Sequence, residues 1–217
     1  MKKNILFTTH LDDNFIDGAL VMLYSMKKHV KDFMDYPVRI MHSTKIAGIS
    51  KENQLKLTKL IPHIHFEDIN KDEYIKAPVK YPKHRTAFLS LECFRPTTYD
   101  KVFFFDCDML CIKDISEGII NSPPTQVSGC GGSSNDINCG LFVVGKKYLN
   151  ENTYNKLVES ISLFGESRLF TQHMINHIIP SFNRPVFSKP WQQDENENQL
   201  SKLWYKYKKE MLKEIKK

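Results

Sequence analysis

Lys101-Val102-Phe103-Phe104-Phe105-Asp106-Cys107-Asp108-Met109-Leu110-Cys111 runs from large apolar residues straight into Asp-x-Asp. The apolar run is too short to cross a bilayer and is rich in strand-favouring residues, so it reads as a buried central strand. Side chains alternate between the faces of a strand. If extended geometry persists, Asp106 and Asp108 therefore point one way and Cys107 the other. Two adjacent carboxylates at a strand tip repel each other and are costly to desolvate. A hard divalent cation, Mn²⁺ or Mg²⁺, relieves both costs, and Mg²⁺ typically combines one or two carboxylates with substrate phosphates. The stretch predicts a metal beside a phosphorylated ligand.

Upstream, strands alternate with helices. Ile5 to Thr9 is an apolar strand. Phe15 to His29 has helical spacing, with Phe15, Ala19, Met22, Leu23 and Met26 on one face. Pro37 to Thr44 is a second strand, and Ser50 caps a helix that runs through Leu60. His65 to Ile69 is a third strand, Lys71 to Lys83 a loop, and Thr86 to Phe94 a helix that stops before Pro96. The alternation predicts an α/β fold: a mainly parallel central sheet flanked by helices, with ligands at the carboxyl ends of the strands. The second half is less regular. Pro123-Pro124 and the stretch from Gly129 to Asn135 read as loops, Gly140 to Gly145 as a strand, and Tyr148 to Phe164 and Phe170 to Ile179 as helices. No repeat or linker divides the chain, so residues 1–217 are expected to form one domain.

The bulk numbers exclude several classes. The 217 residues suffice for a sizeable core, and the net charge of +6 is concentrated in the last segment. The remainder is nearly balanced, which argues against nucleic-acid binding. Five cysteines without a Cys-x-x-Cys argue against a disulfide framework and a structural zinc site, and point to a reducing, cytoplasmic setting. There is no signal-like apolar core near Met1 and no long uninterrupted apolar window. From Asn198 to Lys217, Leu200, Leu203, Trp204, Tyr207, Met211 and Ile215 share one helical face, and Lys202, Lys206, Lys209 and Lys213 the other. Packing on the rest of the protein is the favoured reading of this helix. Docking on anionic lipid or on another domain is the alternative.

The metal-strand segment Tyr99 to Asp108 resembles that of nucleotide-sugar glycosyltransferases with the Rossmann-like GT-A fold, and more narrowly of family 8, the glycogenin and bacterial galactosyltransferase group. Four further segments follow in the family's order. They are Leu6-Phe7-Thr8-Thr9-His10 with Phe15 and Gly18-Ala19-Leu20-Val21; Asn138-Cys139-Gly140-Leu141-Phe142-Val143; Gln172-His173-Met174-Ile175-Asn176; and Lys189-Pro190-Trp191 followed by Leu203-Trp204-Tyr205. The resemblance implies a metal-dependent hexosyltransferase with a UDP-sugar donor, a glycan or other hydroxyl acceptor, and retention of anomeric configuration. It places Asp106 and Asp108 on the metal and Thr8, Thr9 and Phe15 at the base. It places Lys189 on a phosphate and Asn138 and Gln172 at the sugar.

Three positions depart from the family pattern. Asn183 and Val186 stand where the family has a metal-binding His and a Gly, so either the diphosphate and water complete the metal shell or His173 or His177 substitutes. Thr171 replaces an Asp. The family's basic residue before the metal strand has no direct equivalent; Arg85 is the nearest, with Arg95 behind it. Two other readings stay open: a haloacid dehalogenase-type phosphatase, which also places Asp-x-Asp after a strand, and a nucleotide-sugar-binding protein with little turnover.

Overall fold

The computed structural model describes residues 4–131, 137–167, 169–179, 182–183 and 197–216. In chain order they form β1 (Ile5–His10), α1 (Ile16–His29), β2 (Val38–His42), α2 (Lys51–Leu60), β3 (Ile64–Asp68) and α3 (Asp72–Ile75). A long 3₁₀ segment (Pro82–Phe94), β4 (Lys101–Phe105), α4 (Ser116–Asn121), β5 (Val127–Gly131) and β6 (Ile137–Gly145) follow. The chain continues through α5 (Glu151–Glu159), α6 (Ile161–Phe164), α7 (Phe170–Ile178), β7 (Phe182–Asn183) and α8 (Glu197–Ile215).

Among the described residues the strands make one seven-stranded sheet in the order β3-β2-β1-β4-β6-β5-β7. The first four strands in that order are parallel. β6 runs against both β4 and β5, and β7 lies parallel to β5. The order reverses at β1 and β4, and a crevice opens where such a reversal occurs.

The phenylalanine run of β4 shows why this strand is central. Phe103 and Phe105 enter the layer under α1, with Leu23 and Met26. Phe104 enters the opposite layer, where it stacks on Phe142 at 4.9 Å between centroids. All three rings are buried, and each contributes on the order of 2–3 kcal/mol through burial. Local signals set the helix ends: the Ser50 hydroxyl accepts from the Asn53 N–H to open α2, and the Asn150 side chain accepts from the Thr153 N–H to open α5.

Four elements differ from the sequence reading. Gly129 to Gly131 belong to β5 rather than to a loop. A Cβ on Gly129 would meet the Leu141 carbonyl oxygen at 3.0 Å, and the ladder shifts register between Gly129 and Gly131. Close approach at a bulge thus explains glycines that weaken a strand signal. The expected helix from Thr86 is a 3₁₀ segment that starts at Pro82. The helix expected from Tyr148 to Phe164 is split at Ser160, whose buried hydroxyl donates back to the Leu157 carbonyl at 2.7 Å. The loop from Lys71 contains α3, because buried Tyr74 donates its hydroxyl to Glu92 at 2.6 Å. The C-terminal helix lies against α1 and α2, with Tyr207 and Met211 in the core.

Candidate active site

A cleft of about 360 Å³ opens at the carboxyl ends of β1 and β4 and against the start of β6. Asp106 and Asp108 face it together. They do not reach it by strand alternation: β4 ends at Phe105, and Cys107-Asp108 form a turn. Asp106 stays clamped to β6 through its N–H, which donates to the Gly140 carbonyl at 2.8 Å. Gly140 also makes room for the carboxylate, since a Cβ there would lie 2.7 Å from Asp106 Oδ2. On the other side α1 leans on the turn, and a Cβ on Gly18 would sit 3.1 Å from the Cys107 carbonyl oxygen.

Burial, reinforced by the charge of Asp108, pushes the Asp106 carboxyl up to about 7. Half-buried and repelled, this acid has the electrostatics that a cation would relieve, and the Gly140 notch leaves space beside it. Cys107 turns into the core, where burial pushes its thiol up to about 12 and removes its nucleophilicity. Among the described residues no group of three His, Cys, Asp or Glu side chains is arranged to hold a metal. A cation held by the two acids would take its remaining ligands from elsewhere, such as a diphosphate or water.

The wall opposite is built by clipping α7 onto β6. Asn176 accepts from the Ile137 N–H at 3.0 Å and donates to the Gln172 carbonyl at 2.7 Å. Gln172 in turn accepts from the Cys139 N–H at 3.4 Å, and Asn138 Oδ1 from the Gly140 N–H at 2.8 Å. Each therefore turns an amide nitrogen toward further partners. Gln172, Asn138 and Thr171 line the cleft together. At the β1 end Phe15 presents its ring with 48 % exposure, a flat apolar platform beside the acids.

Other predicted positions lie elsewhere. Thr8 and Thr9 are fully buried, and their backbones are consumed by the ladders to β2 and, for Thr8, β4. The Thr8 hydroxyl accepts from Arg39 Nε at 3.1 Å. The cleft is lined instead by the next residues, His10, Leu11 and Asp12. The His10 ring stacks on Phe104, and burial lowers its pKa to about 4, so it is neutral. Asp12 caps the following turn by accepting from the Asn14 N–H at 2.7 Å. Arg85 donates to the Ala77 carbonyl at 3.2 Å and Arg95 pairs with Glu67 at 2.5 Å, away from the cleft; Thr86, Ala87 and Ser90 form that wall. His173 bonds Ser167 and His177 packs on Phe164, so neither lines the site. Lys189, with Pro190 and Trp191, lies outside the described residues. The signal that would have found Asp12 is its capping position at the end of β1.

The strand order and the reversal of β6 match the GT-A fold, and the chain resembles family 8 of the glycosyltransferases. The chain is 26 % identical over 184 residues to glycogenin-1 of Caenorhabditis elegans, covering 81 % of this chain and 39 % of that protein. It thus spans about two fifths of the length of that curated relative. The galactosyltransferase LgtC, solved with donor and acceptor sugar analogues, superposes with a TM-score of 0.67 at 14 % identity, over 82 % of this chain and 72 % of its own. The apo glycosyltransferase GlyE of Streptococcus pneumoniae gives 0.68 at 14 % identity, over 96 % and 60 %. No protein-family model matches the chain.

Proposed function

We propose that this protein is a metal-dependent glycosyltransferase that moves a sugar from a UDP-sugar to a hydroxyl acceptor with retention of configuration. The observation that carries the reading is the acid pair: two carboxylates at the tip of an inner strand, one of them pushed up to about 7 by burial, facing a cleft notched by Gly140. The glycosyltransferases of like fold favour transfer over the phosphatase alternative.

Asp106 and Asp108 would hold Mn²⁺ or Mg²⁺. When bound, the cation supplies Lewis-acid stabilisation of the charge on a departing diphosphate. Phe15 stacks on the base. Asp12, an acceptor without donors, suits a base edge that carries an N–H. Gln172 and Asn138 orient the sugar with the amide groups their backbone contacts leave over. Lys189 adds a charge-assisted contact to a phosphate oxygen. No carboxylate lines the sugar side of the cleft among the described residues, which suits a front-face reaction with Gln172 as the nearest polar group. Transfer from a supplied UDP-sugar, with product anomers read by NMR, tests the proposal. Clean inversion would remove the retaining mechanism, and an absence of Mn²⁺-dependent UDP binding would remove the site.

Two further results are expected. Phe15→Ala weakens UDP binding by about ten-fold, the loss of one base–ring stack, whereas Phe15→Tyr keeps it; isothermal titration in Mn²⁺ reads both. Because Asp106 must release its proton to bind a cation, Mn²⁺ affinity falls by about ten-fold per pH unit below about 7. The stability sign is opposite. The Asp106 carboxyl is raised above its unfolded value, so the native state holds a proton that the unfolded chain has lost. Stability present below about pH 4 is therefore lost progressively as pH rises to about 7 in the metal-free protein, and added Mn²⁺ restores it there. Melting curves across that range, with and without Mn²⁺, check the sign.

A further inference from the structure

α8 carries two stripes, and the fold uses only one. Tyr207 and Met211 are buried against α1, with Leu203, Trp204 and Ile215 packed around them. The acids of the helix are also turned inward: Glu210 pairs with Lys28 at 2.8 Å and accepts from the Tyr24 hydroxyl, and Glu214 pairs with Lys27 at 2.5 Å. Lys208 is drawn to Asp17 at 2.5 Å.

The other side of the helix faces out. Lys202, Lys206, Lys209, Lys213 and Lys216 are exposed there at three- and four-residue spacing. Interleaved with them, Tyr205 and Leu212 are 67 % and 39 % exposed. Tyr205, Lys209, Leu212 and Lys213 border one shallow groove. The five lysines form no ion pair among the described residues, because Glu210 and Glu214 of the helix pair with Lys28 and Lys27 of α1 instead. A 19-residue helix is about 28 Å long, so the stripe is a straight cationic edge carrying two apolar side chains.

We propose that this face of α8 docks on the anionic surface of a lipid bilayer, lysines to the headgroups and Tyr205 and Leu212 into the headgroup–acyl boundary. Three observations select a bilayer over a soluble polyanion. The charge is of one sign along the whole stripe; it is linear and so matches a plane; and an aromatic and an aliphatic side chain sit inside it, where a purely electrostatic contact would have no use for them. No helix among the described residues is long and apolar enough to cross a membrane, so the contact is peripheral. The inference does not depend on the proposed activity, because the stripe shares no residue with the cleft.

The test is co-sedimentation of the full chain with vesicles of phosphatidylcholine alone and of phosphatidylcholine with phosphatidylserine in equal parts. Binding is expected to the anionic vesicles only, and to weaken as salt rises from 0.1 M toward 1 M and the screening length falls from about 10 Å to about 3 Å. Each lysine of the stripe changed to Gln should cost about five-fold in partitioning. Tyr205→Ser with Leu212→Ser should weaken vesicle binding but leave binding to heparin, a soluble polyanion, unchanged. Far-ultraviolet circular dichroism confirms that the variants fold. Absence of binding to anionic vesicles at 0.1 M salt would overturn the proposal, as would binding untouched by the Lys→Gln changes. Equal loss of heparin and vesicle binding in the lysine variants, with no effect of the Tyr205 and Leu212 changes, would assign the stripe to general polyanion attraction and overturn it as well.

Discussion

Asp106→Asn abolishes Mn²⁺-dependent UDP binding and sugar transfer, yet leaves the metal-free protein at least as stable as the parent at neutral pH. The two effects share a cause. Asp106 is half-buried beside Asp108, and burial together with that neighbouring charge raises its carboxyl pKa, so the metal-free fold disfavours the ionised form. The amide keeps the shape and the N–H clamp to the Gly140 carbonyl, which is a backbone contact. It removes the repulsion but cannot supply an anionic ligand. Most substitutions of part-buried polar residues destabilise; one that stabilises while ending function marks a residue kept for its chemistry. The metal-free parent should gain melting temperature when moved from pH 7.5 to pH 5, and Asp106→Asn should gain less. Calorimetry of Mn²⁺ and UDP binding supplies the other half. Titrations identical to the parent would remove Asp106 from the metal site, and a melting temperature well below the parent's would show that the carboxylate stabilises the fold.

The sequence made most of the architecture legible because its core strands are apolar runs with clear punctuation. Phe103 to Phe105 could hardly be anything but an inner strand, and Ser50 announced the start of α2. Glycine hid β5, since a residue without a side chain carries no pattern and its role at Gly129 is to admit the neighbouring strand. The site was legible in its residue types more than in its geometry. Asp106 and Asp108 do face one cleft, but through a turn rather than an extended strand. At β1 the reading fell one residue short: the sheet extends to His10 and occupies the backbones of Thr8 and Thr9, which leaves the cleft to His10, Leu11 and Asp12. Arg85 illustrates a different limit. A guanidinium can satisfy a local carbonyl as readily as a phosphate, and here it is turned to Ala77; nothing in the spacing of a single cation distinguishes the two.

Gly140→Ala is the second large effect, and it separates function from folding within one strand. The added methyl would lie 2.7 Å from Asp106 Oδ2 and 3.0 Å from Asn138 Oδ1. Both atoms end short side chains at the cleft, so rotation relieves the clash and β6 survives; alanine is also the better strand residue there by a few tenths of a kcal/mol. The displacement falls on the Asp106 oxygen beside the proposed metal position, and misplacement of a reacting or ligating group by about 1 Å costs on the order of 100-fold. UDP binding in Mn²⁺ and sugar transfer should therefore fall by about that factor, with a melting temperature near the parent's. Gly145→Ala, five residues along in the same strand, should do the opposite. Its methyl would meet three backbone carbonyl oxygens, of Gln126, Pro124 and Pro123, at 2.6 to 2.7 Å. Backbone cannot rotate away, so the cost appears as about 1–3 kcal/mol of stability, with UDP affinity intact in the protein that remains folded. Denaturant melts and UDP titrations on the two variants resolve the pair. If both lose stability and neither loses affinity, Asp106 does not depend on the Gly140 notch, and the proposed metal arrangement is wrong.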